Sequence, residues 1–435
     1  MARPRRHVPL NVFLNSRLVG QISQPASGAI DFQYDPSWLN WEHTLPISLS
    51  LPLREDRYIG APVLAVFDNL LPDSGAIRRR MAERVHAGGS DAFSLLTAVG
   101  RDCVGALQFL ADGHEPGPAG LVAGKPINDA EIAHMLGDLA AAPLGLGDDE
   151  DFRISIAGAQ EKTALLRWKN QWFKPLATTA TTHILKPQIG HLPNGIDLSF
   201  SVENEFLCLK LGAALGIPSA EATMEEFGDK RVLVVERFDR RWTQDDRLLR
   251  LPQEDCCQAL SVPPTLKYEA ESGPGIQAIL GLLKGSDTPE ADQATFLKSV
   301  ILFWLLGATD GHAKNFSLYL SSGGRFRMTP LYDVISAQPS LDAGHIRRNA
   351  MNLAMAVGDS RHYGVDRVMP RHFFQSAAKA AIGQSVVRAV FVDIQAKAAA
   401  AIEQVTASLP AGFPEQVVAS IIDGFRGRLR TIDER

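Results

Sequence analysis

The sequence predicts an α+β protein of two lobes, in which a strand-rich lobe precedes a mainly helical lobe and an extra β-rich domain lies at the N-terminus. Short alternating runs of apolar and polar residues, separated by turn residues, dominate the chain up to about residue 250. Beyond that point, apolar residues recur mostly at helical spacing. A cleft between two such lobes is a common place for a ligand to bind.

The first predicted unit, residues 1–112, is the β-rich domain. Alternating patterns predict strands at 10–15, 47–51 and 104–110, and a helical pattern covers 63–87. The letters FDNLLPD interrupt that helical pattern with Asn, Asp and Pro, which favour a helix end or a turn.

The rest of the chain divides into a connection and two lobes. Residues 113–150 are predicted to be a linker rich in Gly and Pro, followed by a helix at 129–142. Residues 151–250 form the strand-rich lobe, and residues 251–435 form the helical lobe. The predicted elements of the first lobe are strands at 154–157, 163–168, 172–175, 183–186 and 232–236 and a helix at 199–215. The predicted helices of the second are 276–283, 290–307, 373–382, 387–409 and 414–428.

The composition excludes several classes of protein. The chain has 435 residues, of which 45% are hydrophobic, and a net charge of −5, which argues against disorder and against a global surface for polyanions. The four cysteines form no metal-ligand pattern, so we expect reduced thiols in a cytoplasmic protein. The longest apolar run, 300–306, is far shorter than the ~20 residues that cross a bilayer, so no membrane partner is expected. The basic N-terminus lacks the apolar core of a signal peptide.

The strongest chemical signal is the segment TDGHAKN, which directly follows an apolar helix. It gives Asp310 and Asn315 the Asp-x4-Asn spacing of kinases and related phosphotransferases, in which a carboxylate receives the substrate hydroxyl proton and an amide oxygen binds Mg²⁺. A predicted hairpin with its turn at 323–324 would return Asp333 beside Asn315 as a second magnesium ligand. Asp-x4-Asn alone more often belongs to a solvated loop with capping side chains, and the second aspartate makes the chemical interpretation the better one.

A lysine and a glutamate upstream extend this set. Lys186 ends the predicted strand 183–186, where an ammonium group can reach the α/β-phosphates of ATP. Glu205 on the helix 199–215 can hold Lys186 by an ion pair, whereas Glu203 lies on a different face of that helix and is the weaker candidate. An exposed lysine at a strand end is the common alternative. Together with the lobe order, the pattern predicts a bilobal protein-kinase-like fold.

Two further segments fit the same interpretation. Backbone N–H groups of the small-residue loop at 157–162 can lie over phosphates, although the loop lacks the glycine spacing of a P-loop. The strand that ends at Glu236 leads out of the strand-rich lobe, where a hinge can bond adenine through its backbone. Phe238 offers an apolar wall at that point.

The chain also resembles a known family over nearly its full length: the HipA kinases, which are the toxins of bacterial HipBA toxin–antitoxin modules. The resemblance rests on long strings, namely FDNLLPDS at 67–74, DFRISIAGAQEKTALL at 151–166, VERFDRRW at 235–242, LPQED at 251–255 and GATDGHAKNFS at 307–317. It implies a kinase-like fold behind an extra N-terminal domain, with ATP and Mg²⁺ as ligands.

The resemblance implies roles for individual residues. It makes Asp310 the catalytic base, Asn315 and Asp333 the magnesium ligands, and Lys186 the lysine that binds ATP. The full set of residues implied in ATP binding is Ala157, Gly158, Ala159, Gln160, Glu161, Lys162, Lys186, Glu236, Arg237, Phe238, His312, Ala313, Lys314, Asn315, Tyr332 and Asp333.

Ser155 matches the serine that the family autophosphorylates, which expels its loop from the ATP site and switches the kinase off. A phosphate there would add roughly −1.5 to −2 charges beside the ATP phosphates. The resemblance also implies glutamate–tRNA ligase as the protein substrate, with growth arrest and persistence as the result. It implies a HipB-like helix-turn-helix antitoxin that neutralises the kinase and represses the operon with it, so that operator DNA is met mainly through the antitoxin.

Two alternatives stay open. The chain could be a catalytically idle co-repressor that only docks the antitoxin, although the intact set of Lys186, Asp310, Asn315 and Asp333 argues against idleness. It could also be a small-molecule phosphotransferase, against which the long family-specific strings count. The basic run at 78–80 could touch DNA phosphates, but a solvated surface is the commoner role of such a run.

Overall fold

The computed structural model describes residues 8–25, 28–146, 152–158 and 160–433. Residues 8–112, called the N-terminal region below, contain strands β1 (Leu10–Leu14), β2 (Arg17–Ser23), β3 (Asp31–Tyr34), β4 (Tyr58–Ile59) and β5 (Leu107–Ala111) and helices α1 (Pro36–Leu39), α2 (Ala61–Phe67), α3 (Gly75–Arg84) and α4 (Ala92–Val99). The strands form an antiparallel sheet in the order β4-β3-β2-β1-β5. The strands predicted at 10–15 and 104–110 and the helical pattern at 63–87 are confirmed.

Buried aromatic rings join this sheet to its helices. Phe32 of β3, Phe67 at the end of α2 and Phe109 of β5 are almost fully buried. The centroid of the Phe67 ring lies 5.7 Å from that of Phe32 and 5.6 Å from that of Phe109. Rings at these distances add edge-on contacts to a large burial of apolar area, so the chain that follows Phe67 is held firmly against the sheet.

The strand predicted at 47–51 is wrong, because this segment is a series of bends and turns. Two of its backbone N–H groups bond to side chains and not to another strand. Ile47 N–H donates to the Tyr34 hydroxyl at 3.0 Å, and Leu49 N–H donates to Glu254 Oε1 at 2.8 Å. The second bond ties the N-terminal region to the helical lobe.

The strand-rich lobe contains β7 (Thr163–Trp168), β8 (Gln171–Pro175), β9 (His183–Pro187), β10 (Gly190–His191), β11 (Asp197–Leu198), β12 (Ala222–Phe227) and β13 (Lys230–Glu236), with helix α6 (Ser201–Ala214). The connection before it contains β6 (Gly124–Pro126), which joins the sheet of this lobe, and helix α5 (Asp129–Gly137). Its main sheet has the antiparallel order β12-β13-β9-β7-β8-β6. Two strands of this sheet were not predicted from the sequence: β12, and β6, which lies within the predicted linker. The strands predicted at 163–168, 172–175, 183–186 and 232–236 are confirmed, as are both helices.

The strand predicted at 154–157 is wrong. Ile154 forms an isolated bridge with Asp102, and Gly158 forms another with Pro72. Ser155 N–H donates to Asp102 O at 2.9 Å. The segment 154–158 therefore docks on the N-terminal region instead of joining the sheet of its own lobe.

The helical lobe contains α7 (Cys256–Ala259), α8 (Ile276–Leu283), α9 (Pro289–Leu306), α10 (Gln338–Asp342), α11 (Pro370–Lys379), α12 (Gln384–Ala407) and α13 (Glu415–Asp433). Strands β14 (Arg240–Trp242) and β15 (Leu248–Arg250) pair with each other in the segment that leads into this lobe. The short strands of the helical lobe are β16 (Gln253–Asp255), β17 (Ser317–Ser321), β18 (Arg325–Met328), β19 (Asn352–Val357) and β20 (His362–Gly364). The predicted helices and the predicted β17–β18 hairpin are confirmed, and β16 pairs with β17.

Helix α9 leads directly into the polar segment 308–316, which carries Asp310 and Asn315 and is called the catalytic loop below for the role predicted from the sequence. Every residue from Phe296 to Leu306 is buried, so the second half of the helix is fixed in the core. The helix ends at Gly307, whose φ of +64° is the left-handed conformation that favours glycine at a helix end. The polar segment that follows is therefore attached to a rigid support.

A buried charge network joins the N-terminal region to the connection between the lobes. Asp102 pairs with Arg237, Arg240 and Arg250 at 3.3, 2.9 and 3.0 Å. Arg237 pairs in turn with Asp239 at 2.8 Å. Burial opposes ionisation of Asp102, but the three guanidinium groups hold its pKa well below the usual range. Removing one partner from such a network leaves a buried charge uncompensated, so the network fixes the connection in place.

Two expectations from the sequence concern reduced cysteine thiols and the absence of a membrane-spanning segment. The four cysteines, Cys103, Cys208, Cys256 and Cys257, are buried free thiols. Burial raises the pKa of Cys103 and of Cys208 to about 12, which disfavours reactive thiolates. Across the described ranges, no helix combines the length and the apolar character needed to cross a membrane.

Candidate active site

A cleft of about 450 Å³ lies where the N-terminal region and the two lobes meet. Its volume is in the range of small-ligand sites. The predicted site residues that line it are Ala157, Gly158, Gln160, Lys162, Lys186, Glu205, Glu236, Arg237, Phe238, Asp310, His312, Lys314, Asn315, Tyr332 and Asp333.

Asp310 follows α9, and its side chain is 62% exposed. Its Oδ1 accepts a hydrogen bond from the Tyr268 hydroxyl at 2.5 Å. His312 Nε2 lies 3.9 Å from the same oxygen. A carboxylate that is supported on one side and open on the other can receive a proton from a substrate hydroxyl.

The β17–β18 hairpin brings Asp333 beside Asn315. Asn315 Nδ2 donates to Asp333 O at 3.1 Å, so the amide oxygen of Asn315 remains as its acceptor. Asp333 has a φ of +59°, an uncommon conformation for a residue with a side chain. Amide and carboxylate oxygens are donors that Mg²⁺ accepts, usually together with phosphate oxygens. No group of three or more His, Cys, Asp or Glu residues in the described part of the chain could hold a metal by itself.

Lys186 is buried between two carboxylates. Its Nζ lies 2.7 Å from Glu205 Oε1 and 2.9 Å from Asp333 Oδ1. Burial alone would lower the pKa of Lys186, but the two carboxylates raise it above the usual range. Burial likewise opposes ionisation of Asp333, whose pKa Lys186 and Lys162 hold well below the usual range. Glu203, the weaker candidate, pairs instead with Arg231 at 2.9 Å.

The loop over the cleft is held by Lys162. Its Nζ donates to Ala157 O at 2.7 Å, and burial lowers the pKa of Lys162 to about 8. Gly158 has a φ of +112°, and a Cβ at this position would lie 2.4 Å from Lys162 Nζ. Glycine is therefore favoured there for its conformation, and a larger side chain would displace the Lys162 ammonium group. Gln160 Nε2 joins the loop to Pro187 O at 3.1 Å.

The predicted hinge, residues 236–238, forms the wall of the cleft. The ring of Phe238 lies with its centroid 5.7 Å from that of Tyr332 and 6.0 Å from that of Tyr319. The side chain of Arg237 belongs to the buried network around Asp102. Phe238 and Tyr332 therefore offer an apolar surface that suits a flat ring.

The catalytic loop contains two further predicted polar residues, Lys314 and His312. Lys314 Nζ donates to Asn69 Oδ1 at 2.7 Å and to Asp255 Oδ2 at 2.9 Å, so its charge is already compensated. Burial lowers the pKa of His312, which favours the neutral ring. Within the described residues, His312 Nδ1 has no hydrogen-bond partner. Ala313 is fully buried in the core and does not line the cleft.

Three other predicted residues lie away from the cleft or outside the description. Ser155 is fully buried, and its Oγ donates to Leu70 O at 2.8 Å. Glu161 Oε1 pairs with Arg80 Nη2 at 2.9 Å. Ala159 lies outside the described residues. The proposed roles of these residues stay predictions.

Several polar residues in or beside the cleft were not predicted as site residues from the sequence, namely Asn69, Asp73, Asp255, Lys267 and Tyr268. Lys267 Nζ lies 2.7 Å from Asp73 Oδ2. Burial opposes ionisation of Asp73, but neighbouring ammonium groups hold its pKa below the usual range. Asn69 and Asp73 belong to the string FDNLLPDS, and Asp255 belongs to LPQED. These family-specific strings could therefore have indicated the three residues. No sequence pattern marks Lys267 and Tyr268.

Comparisons with known proteins find similar domains and similar chains. The family models described as "HipA N-terminal domain" and "HipA-like C-terminal domain" match residues 10–110 and 154–411. The chain is 36% identical to the putative kinase Y4mE of Sinorhizobium fredii, over 81% of this chain and 83% of that protein. It is 27% identical to the serine/threonine-protein kinase toxin HipA of Shewanella oneidensis, over 80% of this chain and 78% of that protein.

A solved structure of HipA from Shewanella oneidensis, in complex with HipB and its operator DNA, matches 98% of both chains with a TM-score of 0.81 and 23% identity. This likeness confirms the predicted α+β kinase-like fold. The C-terminal family model alone covers more than half of the chain, and the resemblance stated from the sequence is confirmed with it. The chain belongs to the HipA family.

Proposed function

We propose that the chain is an ATP-dependent serine/threonine protein kinase and the toxin of a type II toxin–antitoxin module. The observation that carries the proposal is the meeting of Asp310, Asn315 and Asp333 with the Lys186–Glu205 pair in one cleft. Protein kinases need their lysine–glutamate pair and their metal-binding aspartate in place at the same time.

The proposed reaction is the transfer of a phosphoryl group to a protein serine. The serine oxygen attacks the γ-phosphorus of ATP, and the bond from that phosphorus to the bridging oxygen of ADP breaks. The hydroxyl proton passes to Asp310. Bound Mg²⁺ would offset the charge of the phosphates, with Asn315 and Asp333 as its protein ligands. Lys186, oriented by Glu205, would bind phosphate oxygens.

The other contacts with ATP follow from the walls of the cleft. Phe238 and Tyr332 offer the apolar surface for adenine, whose edge would meet the backbone at 236–238. Lys162 and the loop that it holds would cover the phosphates. Neutral His312 also lines the cleft, and its Nδ1 is buried without a hydrogen-bond partner among the described residues.

We propose partners of the kinds implied by the family. The matching Shewanella protein was solved with HipB and operator DNA. A HipB-like helix-turn-helix antitoxin would neutralise this kinase and repress the operon with it, and DNA would be bound mainly by the antitoxin. Glutamate–tRNA ligase is the proposed substrate, with growth arrest and persistence as the outcome. With such partners, the proposed activity is cytoplasmic.

Ser155 is the proposed autophosphorylation site and off switch. Its hydroxyl is buried against Leu70, so phosphorylation requires the segment 154–158 to leave its dock on the N-terminal region. A phosphate could not return to that place because a doubly charged group is costly to bury. Release of the segment would also withdraw Gly158 from the cleft.

The proposal is tested with purified protein, labelled ATP and Mg²⁺. We expect labelling of Ser155 by mass spectrometry, and loss of all labelling in Asp310→Asn, which keeps the size of the side chain. Undiminished labelling in that variant would refute the role of Asp310. Phosphoproteins identified after brief induction would name the substrate. ATP turnover on small molecules alone would favour a small-molecule phosphotransferase, and no turnover at all would favour the idle co-repressor.

A further inference from the structure

A short segment between α7 and α8 crosses in front of the catalytic loop. Residues 263–275, called the strap below, contain only two short 3-10 turns in their described structure, at Pro264–Leu266 and Glu269–Glu271. Consecutive side chains of the strap contact different parts of the molecule. Those side chains are Lys267, Tyr268 and Glu269.

The two outer side chains, Lys267 and Glu269, anchor the strap on either side of Tyr268. Lys267 Nζ lies 2.7 Å from Asp73 Oδ2, and both side chains are largely buried. On the other side, Glu269 Oε2 accepts a hydrogen bond from Ala356 N–H of β19 at 2.7 Å. Its Oε1 lies 3.4 Å from an Arg361 guanidinium nitrogen. The strap is therefore fixed between the N-terminal region and the helical lobe.

The middle side chain, Tyr268, contacts the catalytic loop. Its hydroxyl donates to Asp310 Oδ1 at 2.5 Å, and a hydrogen bond to a carboxylate at this length is among the stronger ones in proteins. Burial and the charge of Asp310 raise the pKa of Tyr268, so the phenol keeps its proton and is the donor. The tyrosine ring meets the buried His312 ring edge-on, with centroids 5.0 Å apart. Tyr268 is thus supported on its ring as well as through its neighbours.

The contact leaves the second oxygen of Asp310 available. Across the described residues, no donor bonds to Asp310 Oδ2, and the side chain is 62% exposed. A hydroxyl that merely filled the place of the substrate would have to move aside in each cycle. Tyr268 is held by anchors on either side, which favours a permanent contact.

We propose that Tyr268 is a positioning residue for the phosphoryl transfer. Its hydroxyl fixes Asp310 Oδ1 so that Oδ2 faces the substrate hydroxyl, and the strap couples this orientation to Asp73 of the N-terminal region. The inference rests on the proposed function, because it requires Asp310 to receive the proton.

The first test is Tyr268→Phe, which keeps the ring against His312 and removes the hydroxyl. We expect kcat for phosphorylation of a protein substrate to fall about ten- to a hundredfold, the effect of losing a hydrogen bond to a charged group that must be oriented. The KM for ATP and the melting temperature should stay unchanged. An unchanged kcat would overturn the proposal, and so would an increased kcat, which is the result expected of a blocking residue.

A second test loosens the strap outside the cleft. Glu269→Ala removes the anchor on Ala356 and should also lower kcat, whereas Glu271→Ala, an exposed neighbour in the same strap, should leave kcat unchanged. Because Glu269 acts through Tyr268, adding Glu269→Ala to Tyr268→Phe should cost little more than Tyr268→Phe alone. Effects that multiply in the double variant would refute the coupling.

Asp310→Asn, assayed in parallel, separates this inference from the proposed function. An active Asp310→Asn protein would refute the proposed function itself. An inactive Asp310→Asn protein together with a fully active Tyr268→Phe protein would refute only the role of Tyr268.

Discussion

Lys314 Nζ donates to Asn69 Oδ1 at 2.7 Å, and this bond joins two residues that lie 245 positions apart in the chain. Asn69 follows α2 in the N-terminal region, and Lys314 immediately precedes Asn315 in the catalytic loop. Burial alone would lower the pKa of Lys314, but Asp255 and Asp73 raise it above the usual range. The N-terminal region therefore supplies part of the support on which the catalytic loop rests.

The first prediction removes this support. Asn69→Ala takes away one of the acceptors of Lys314, and the free energy of unfolding should fall by about 1–3 kcal/mol because a buried ammonium loses a hydrogen bond. Kinase activity should fall as well, since Lys314 fixes the loop that carries Asn315. Denaturant unfolding and phosphoryl transfer measure the two effects. Asn349→Ala, at an exposed position, is the control, and equal stability of the two variants would contradict the prediction.

The second prediction concerns the pair between Lys186 and Glu205. Lys186→Met should lower the free energy of unfolding by about 3–5 kcal/mol, because it leaves the buried Glu205 carboxylate without its cation. Burial then raises the pKa of Glu205 further, and protonation at lower pH neutralises the group. The loss should therefore shrink as the pH falls from about 8 to about 5.

The double variant Lys186→Met, Glu205→Gln is the matched control for this effect. It has no buried carboxylate at position 205, so it should recover part of the stability at neutral pH. Thermal unfolding across the same pH range measures both proteins. A loss in Lys186→Met that does not change with pH would show that Glu205 is not the source.

Local patterns explain the parts of the fold that the sequence could predict. Strands such as 163–168 and helices such as 276–283 have clear periodicity, and their bounds agree closely with the structure. The hairpin at 317–328 is also local, because its turn at Gly323 lies between two short strands. For that reason, the placement of Asp333 beside Asn315 could be predicted from spacing.

Contacts between distant segments explain the parts that could not be predicted. Tyr268 precedes Asp310 by 42 positions, and its contact depends on anchors at Asp73 and Ala356 that no spacing rule gives. Similarly, the alternating sequence at 47–51 predicts a strand, but the N–H groups of Ile47 and Leu49 bond to side chains instead. Nothing in the sequence of this segment indicates those bonds.

The third prediction concerns the pH dependence of ATP binding. Burial lowers the pKa of Lys162 to about 8, so its ammonium group is largely present below that pH and lost above it. Phosphates favour the charged form, so the affinity for ATP should fall as the pH rises from about 7 to about 9.5. Lys186 has its pKa raised and keeps its charge over this range.

The control for this dependence is Lys162→Arg, because arginine stays charged throughout. Its ATP affinity, measured by calorimetric titration, should change much less between the two ends of the range. Equal pH dependence in both proteins would assign the effect to another group.

The last prediction concerns the dock of Ser155. The residue is fully buried and its hydroxyl donates to Leu70 O, so a charged group at this position cannot be accommodated. Ser155→Asp should therefore release the segment 154–158 from the N-terminal region, increase amide hydrogen exchange there, and weaken ATP binding. Ser155→Ala loses one hydrogen bond, at a cost of about 1 kcal/mol, and should keep the segment docked. If Ser155→Asp exchanged as slowly and bound ATP as tightly as Ser155→Ala, charge at this position would not control the segment.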